Sequence, residues 1–151
     1  MMKGLIVLVE QDTIKLLREC DAGVKMGISS ISDVIGYVKN NDFKERLTKC
    51  RDEHEKLDRE LQGLLNNYND AGKDPNIIAK GMSQLKTNMK ITMENSDNTI
   101  ADLMTDGCNM GVKSLNKYMN KYKAADEKSK DIAKKLINSE EKLAIDIRKY
   151  L

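Results

Sequence analysis

Phe43, Leu47, Cys50, His54, Leu57, Leu61, Leu64 and Tyr68 follow one another at alternating steps of four and three residues. That spacing stacks all eight side chains on one face of an α-helix, and a strand would scatter them over both faces. A face this long must be covered, so the chain is committed to packing helix on helix. The segment before it repeats the pattern through Ile14, Leu17, Asp21, Val24, Ile28, Ile31, Ile35 and Val38. Each stripe is broken once by an ionisable group: Asp21 in the first, and in the second His54, the only histidine of the chain. Burying such a group costs free energy unless it finds a partner, so both breaks need a physical reason.

Five helices are predicted, and no segment alternates with period two long enough to suggest a sheet. The first runs from about 5 or 10 to 38, up to the break at Asn40, Asn41 and Asp42. Asp42 and Glu45 have capping-box spacing for the second helix, about 43–68. Residues 69–75 (Asn, Asp, Ala, Gly, Lys, Asp, Pro) form the strongest loop signal, with Asp74 as N-cap and Pro75 opening a shorter third helix to about 93. Ser96 or Asp97 caps a fourth helix to about 123, and a fifth runs from about 126 to 150. The 151 residues make one domain: a hairpin over about 5–69, a crossover helix over about 74–94, and a second hairpin over about 97–151. With 33% charged residues, no Trp, and 26 basic against 24 acidic side chains, the chain has the composition of amphipathic helices and no global field. No nucleic-acid or membrane partner is expected. The eight lysines within 113–135 read as a solvated helix face.

Cys20, Cys50 and Cys108 are odd in number and lack metal-type spacing, and no leader or spanning segment is visible. The expectation is a cytoplasmic protein with reduced, buried thiols. Gly23 and Gly27, and again Gly107 and Gly111, are four apart, which suits close helix approach and forms no phosphate loop. Methionines cluster as core filler in the third and fourth helices at Met82, Met89, Met93, Met104, Met110 and Met119. The run Leu5, Ile6, Val7, Leu8 and Val9 is apolar all round. It is expected to pack on the crossover helix or on a second subunit.

An internal repeat links the two hairpins. Cys20, Asp21, Ala22, Gly23, Val24 and Lys25 parallel Cys108, Asn109, Met110, Gly111, Val112 and Lys113. At nearly the same offset, His54, Glu55, Lys56 and Leu57 parallel Glu140, Glu141, Lys142 and Leu143. Asp21 then maps on Asn109, and His54 on Glu140. The fifth helix again shows a stripe with one polar break, through Leu136, Glu140, Leu143, Ile147 and Tyr150. Each long helix is thus expected to bring one polar residue, Asp21, His54, Asn109 or Glu140, to a common level inside the bundle. The fourth helix also admits a stripe through Met104, Cys108, Val112, Leu115, Met119 and Tyr122, which leaves Asn109 at the edge.

Two repeated helical hairpins joined by a crossover helix resemble the ferritin-like superfamily, and in particular small bacterial ferritin-like proteins of unknown function. The resemblance covers nearly the whole chain and implies an all-α, ferritin-like four-helix bundle. In di-iron members each hairpin supplies a Glu from its first helix and a Glu-x-x-His from its second. On that register Asp21, His54, Asn109 and Glu140 occupy the carboxylate positions, and Leu57 and Leu143 stand where the histidines belong. A register shifted to Glu19 and Glu55 meets Gly107, Asp58 and Ala144 instead. The resemblance therefore implies the fold with an incomplete di-metal site.

Two readings of the polar residues follow. In the first, Asp21, His54, Asn109 and Glu140 form a buried layer that fixes helix pairing, with a raised His54 pKa and no cofactor. In the second, Asp21, His54 and Glu140 hold a single divalent metal ion in a metal-binding or redox protein. Counted outward from the turn near Asn40, Asp21 lies about five residues beyond His54, an axial offset of about 7 Å. Cys50, one turn from His54, reads as a core thiol rather than a nucleophile. The function expected is non-enzymatic: a structural or protein-interaction bundle that self-associates as a homodimer or larger assembly.

Overall fold

The computed structural model describes residues 2–73 and 96–151. Four α-helices make up the described part: α1 (Met2–Val34), α2 (Asn41–Asn67), α3 (Ser96–Lys121) and α4 (Glu127–Asp146). Short 3-10 turns follow α1 at Ile35–Tyr37 and α4 at Arg148–Tyr150. No strand occurs among the described residues, and none of their helices is long and apolar enough to cross a membrane. The predicted crossover helix, with Asp74, Pro75, Met82, Met89 and Met93, lies outside the described residues. The helices expected fourth and fifth are α3 and α4.

The helix ends follow local chemistry. Asn40, in extended conformation, accepts the Phe43 amide at 3.0 Å through its side chain, so it is the N-cap of α2. The expected capping box at Asp42 and Glu45 is not used, because Asn41 and Asp42 are already helical. Asp42 instead accepts the Tyr150 hydroxyl and pairs with Lys149 at 2.9 Å. At the far end of α2, Asn69 has φ 53°, and the amides of Asn69 and Asp70 return to the carbonyls of Asn66 and Leu65, each at 3.0 Å. This is a Schellman ending with Asn as the left-handed residue. Asp126 caps α4 by accepting the Ser129 amide at 2.9 Å.

Two core clusters fix the direction of every helix. One joins Leu16, Leu17 and Cys20 of α1 to Leu61 and Leu65 of α2, Leu115 of α3, and Ile132 and Leu136 of α4. The other joins Ile31 and Val34 to Phe43 and Leu47, Ile100 and Met104, and Leu143 and Ile147. Hence α1 and α4 run one way, and α2 and α3 the other. The chain leaves α2 at one end of the bundle and enters α3 at the opposite end. There the Asp97 carboxylate, in the first turn of α3, accepts the amides of Lys39 at 2.8 Å and Asn40 at 3.0 Å. The pairs α1–α2 and α3–α4 are joined by α2–α4 and α1–α3 contacts, and α1 also meets α4 across the diagonal.

The buried face of α2 is nearly the predicted one, with Leu65 replacing Leu64 at its end. On α3, burial follows Ile100, Met104, Cys108 and Leu115. The stripe through Cys108 is therefore the core face, and Asn109 is exposed. Cys20 and Cys108 belong to different clusters, at opposite ends of the bundle.

Candidate functional site

The two breaks in the apolar stripes end in different places. Asp21 is fully buried on α1 and faces the end of α2 and the loop that follows it. Its Oδ1 accepts Gln62 Nε2 at 2.8 Å. Its Oδ2 accepts Lys25 Nζ at 2.9 Å and the Lys73 backbone amide at 3.1 Å. Gly72, at φ 85°, passes so close to the carboxylate that a side chain there has no room. Neighbouring residues hold the same loop. Lys73 Nζ pairs with Glu19 at 2.7 Å, and Asp70 accepts the Arg18 guanidinium. The Arg18 guanidinium pulls the Asp70 carboxyl below its ordinary range. Asp21 is thus the buried peg on which residues 70–73 are hung, and its two oxygens are satisfied by a glutamine amide, a backbone amide and the Lys25 ammonium.

His54 is buried on α2, about six residues along α1 from Asp21, facing Gly27. Six residues of helix are about 9 Å. A Cβ at position 27 falls 2.6 Å from His54 Cδ2, so glycine is what lets the imidazole lie against α1. His54 Nδ1 lies 2.9 Å from the Cys50 carbonyl oxygen. A carbonyl oxygen only accepts, so Nδ1 carries a proton and Nε2 is left to face Glu140 Oε1 at 3.7 Å. Glu140, on α4, rests against Gly111 of α3 as His54 rests against Gly27. Burial opposes charge on His54, but the Cys50 sulfur and the Glu140 carboxylate beside it outweigh burial, and its pKa is pushed up to about 10. Burial pushes the Glu140 carboxyl above its ordinary value, with His54 pulling it back. The pair therefore holds a shared proton through neutral pH. Glu140 Oε2 is buried and has no hydrogen-bond partner.

Around the pair, the Cys50 sulfur lies 3.6 Å from His54 Nδ1 and 3.7 Å from Ser139 Oγ. Ser139 donates to Glu53 at 2.9 Å. Because Nδ1 already carries a proton committed to a carbonyl, the imidazole cannot act as a base toward the Cys50 thiol. Burial pushes the thiols of Cys20, to about 12, and of Cys108 upward, which makes them inert.

The expected common level is therefore not formed. His54 and Glu140 meet, Asp21 sits about a turn and a half away with partners of its own, and Asn109 faces solvent. No group of three or more His, Cys, Asp or Glu side chains among the described residues is placed to hold a metal ion. Leu57 and Leu143, which the expected ferritin-like register set at histidine positions, are both buried in the core. Sequence reasoning missed the Asp21–loop anchor. Its one local signal is the Asp21–Lys25 spacing of one helical turn.

A surface groove of about 370 Å³ lies between α2 and α4 over Leu64 and Ile132. It is rimmed by Glu60, Lys128, Asp131 and Lys135 and contains no nucleophile or histidine. Comparison with known proteins gives no match: no family model, no curated protein and no solved structure matches the chain.

Proposed function

We propose that this chain is a non-enzymatic helical bundle of ferritin-like type. In this reading it has lost a complete di-metal site and acts as a structural or protein-interaction unit through self-association. The observation that carries the reading is the pairing of His54 with Glu140 at the bundle centre, with Gly27 and Gly111 packed behind them and Leu57 and Leu143 beside them. A ferritin-like di-iron centre does not fit these residues, because the side chains at the histidine positions carry no donor atoms.

The helix directions support the repeat. A two-fold axis across the bundle exchanges α1 with α3 and α2 with α4. It brings His54 and Glu140 together near the axis and sends Leu57 and Leu143 to opposite core clusters. Asp21 lies six residues from Gly27, and Asn109, two residues from Gly111, points to solvent, so neither joins the central pair.

A single metal ion on Asp21, His54 and Glu140 is the competing reading. One observation favours it, the unpartnered Glu140 Oε2 beside His54, and the separate engagement of Asp21 opposes it. Elemental analysis of protein expressed with iron, manganese or zinc, together with its mass in solution, separates the two. Far less than one metal per chain and a mass above the monomer are expected. Stoichiometric metal that survives dialysis and disappears in His54→Ala favours the second reading.

A further inference from the structure

Among the described residues, the bundle ends before α1 does. Asp12 accepts the Ala124 amide at 3.0 Å and Thr13 the Asp126 amide at 2.8 Å, so the loop between α3 and α4 closes the bundle at that level. The helix continues outward from there to Met2. Leu5 and Ile6 are 61% exposed, Val7 51% and Leu8 47%, and a Cβ added at Gly4 meets nothing within 4 Å. Residue 73, where the chain leaves the described part, is bonded to Glu19 and Asp21, about 20 Å along α1 from Leu8.

The charges on this bare end are arranged in a particular way. Lys3 and Glu10, both exposed, are seven residues apart and so share one face of the helix, with Ile6 and Val7 between them. Neither Lys3 nor Glu10 forms a salt bridge among the described residues. Turned end for end about the midpoint between 6 and 7, this face is its own complement: Ile6 meets Val7, and Lys3 meets Glu10, twice. We infer that two copies of this chain pair antiparallel through the start of α1, with Ile6 and Val7 at the centre and Lys3–Glu10 ion pairs at both edges. The inference rests on the self-association proposed above and names its surface. A lipid surface is the poorer match, because the run is apolar on every side and its one lysine, Lys3, is outnumbered by the acids Glu10 and Asp12. With four side chains about half open, the contact is smaller than the roughly 1,200 Å² of a stable interface, so the dimer is weak and concentration-dependent.

Sedimentation of the full chain from micromolar to near-millimolar concentration tests this. The wild type shifts from monomer to dimer. Ile6→Asp raises the midpoint at least tenfold and leaves the helical circular dichroism unchanged. Lys3→Glu and Glu10→Lys each place like charges at both edges and weaken dimerisation roughly tenfold, and an equimolar mixture of the two restores it as a heterodimer. A dimer indifferent to Ile6→Asp overturns the surface but leaves self-association standing. A wild type that is monomeric throughout overturns both. Charge variants that fail to rescue each other overturn the antiparallel register. Binding of the monomer to anionic vesicles, without dimerisation, overturns the choice of partner.

Discussion

Asp21 and His54 occupy the same kind of position in sequence, a single ionisable residue in an apolar helical stripe, yet the bundle treats them in opposite ways. Asp21 has three donors on two oxygens, one of them the backbone of a loop far along the chain. His54 has a carbonyl on one nitrogen, Glu140 across a 3.7 Å gap on the other, and a partner whose second oxygen is unsatisfied. The first arrangement has no apolar substitute, because removing the carboxylate strands a backbone amide and a glutamine. The second is a pair of side chains whose one outside partner, the Cys50 carbonyl, lies within α2 itself, so hydrophobic residues can replace both together. One buried charge anchors a loop, and the other is half of an exchangeable pair.

The largest effect is therefore expected at Asp21. Asp21→Ala should cost about 3–5 kcal/mol in urea unfolding, since it empties a fully buried site and leaves the part-buried Gln62 and Lys73 amides without their acceptor. It should also make the 70–73 loop far more sensitive to limited proteolysis. The pair should behave differently. His54→Leu and Glu140→Leu alone should each cost about 2–4 kcal/mol by stranding the other member, whereas the double variant should lie within about 1 kcal/mol of the wild type or above it. Additive losses in the double variant would erase the distinction between the two sites.

A smaller effect comes from the glycines behind the pair. Gly27→Ala drives a methyl into the His54 ring and should cost about 1–3 kcal/mol. Gly63→Ala, where an added Cβ meets nothing, should stabilise α2 by about 0.5–1 kcal/mol. Equal responses at the two positions would mean that His54 does not rest on α1.

The pH dependence gives a signal spread over several units. A His54 pKa raised from an ordinary 6.5 to about 10 means that the folded state keeps a proton the unfolded state releases. Its stabilising contribution is complete below 6.5 and is lost as pH rises toward 10, at about 1.4 kcal/mol per unit. Between pH 7 and 8.5 the wild type should lose stability relative to the His54→Leu/Glu140→Leu variant; both carry the same three thiols, so thiol ionisation cancels in the difference. Parallel curves would contradict the charged pair.

Much of the fold is written locally. The stripes mark the helices, and Asp126 and the Asn69–Asp70 turn mark their ends. What pattern alone does not carry is axial level. Whether Asp21 faces His54 depends on how far each helix runs past the turn at Asn40 and on which loop folds back, and both are long-range facts. The Cys20–Lys25 repeat suggested that Asp21 and Asn109 are equivalent and share a level. In the folded chain, α1 and α3 run in opposite directions, so the two residues need not share a level, and Asn109 lies about 100° round α3 from the core-facing Cys108 and points to solvent. The Asp42 cap fails for a local reason: Asn40, two residues earlier, is the extended residue that caps α2, and Asp42, already helical, takes Tyr150 and Lys149 instead.

The independence of the two buried sites is best measured by a double-mutant cycle between Asp21→Asn, which keeps the side chain's shape, and Glu140→Leu. Separate sites about 9 Å apart along α1 should give a coupling energy within about 0.5 kcal/mol of zero. A coupling above about 1 kcal/mol, of either sign, would mean that Asp21, His54 and Glu140 act as one polar layer after all.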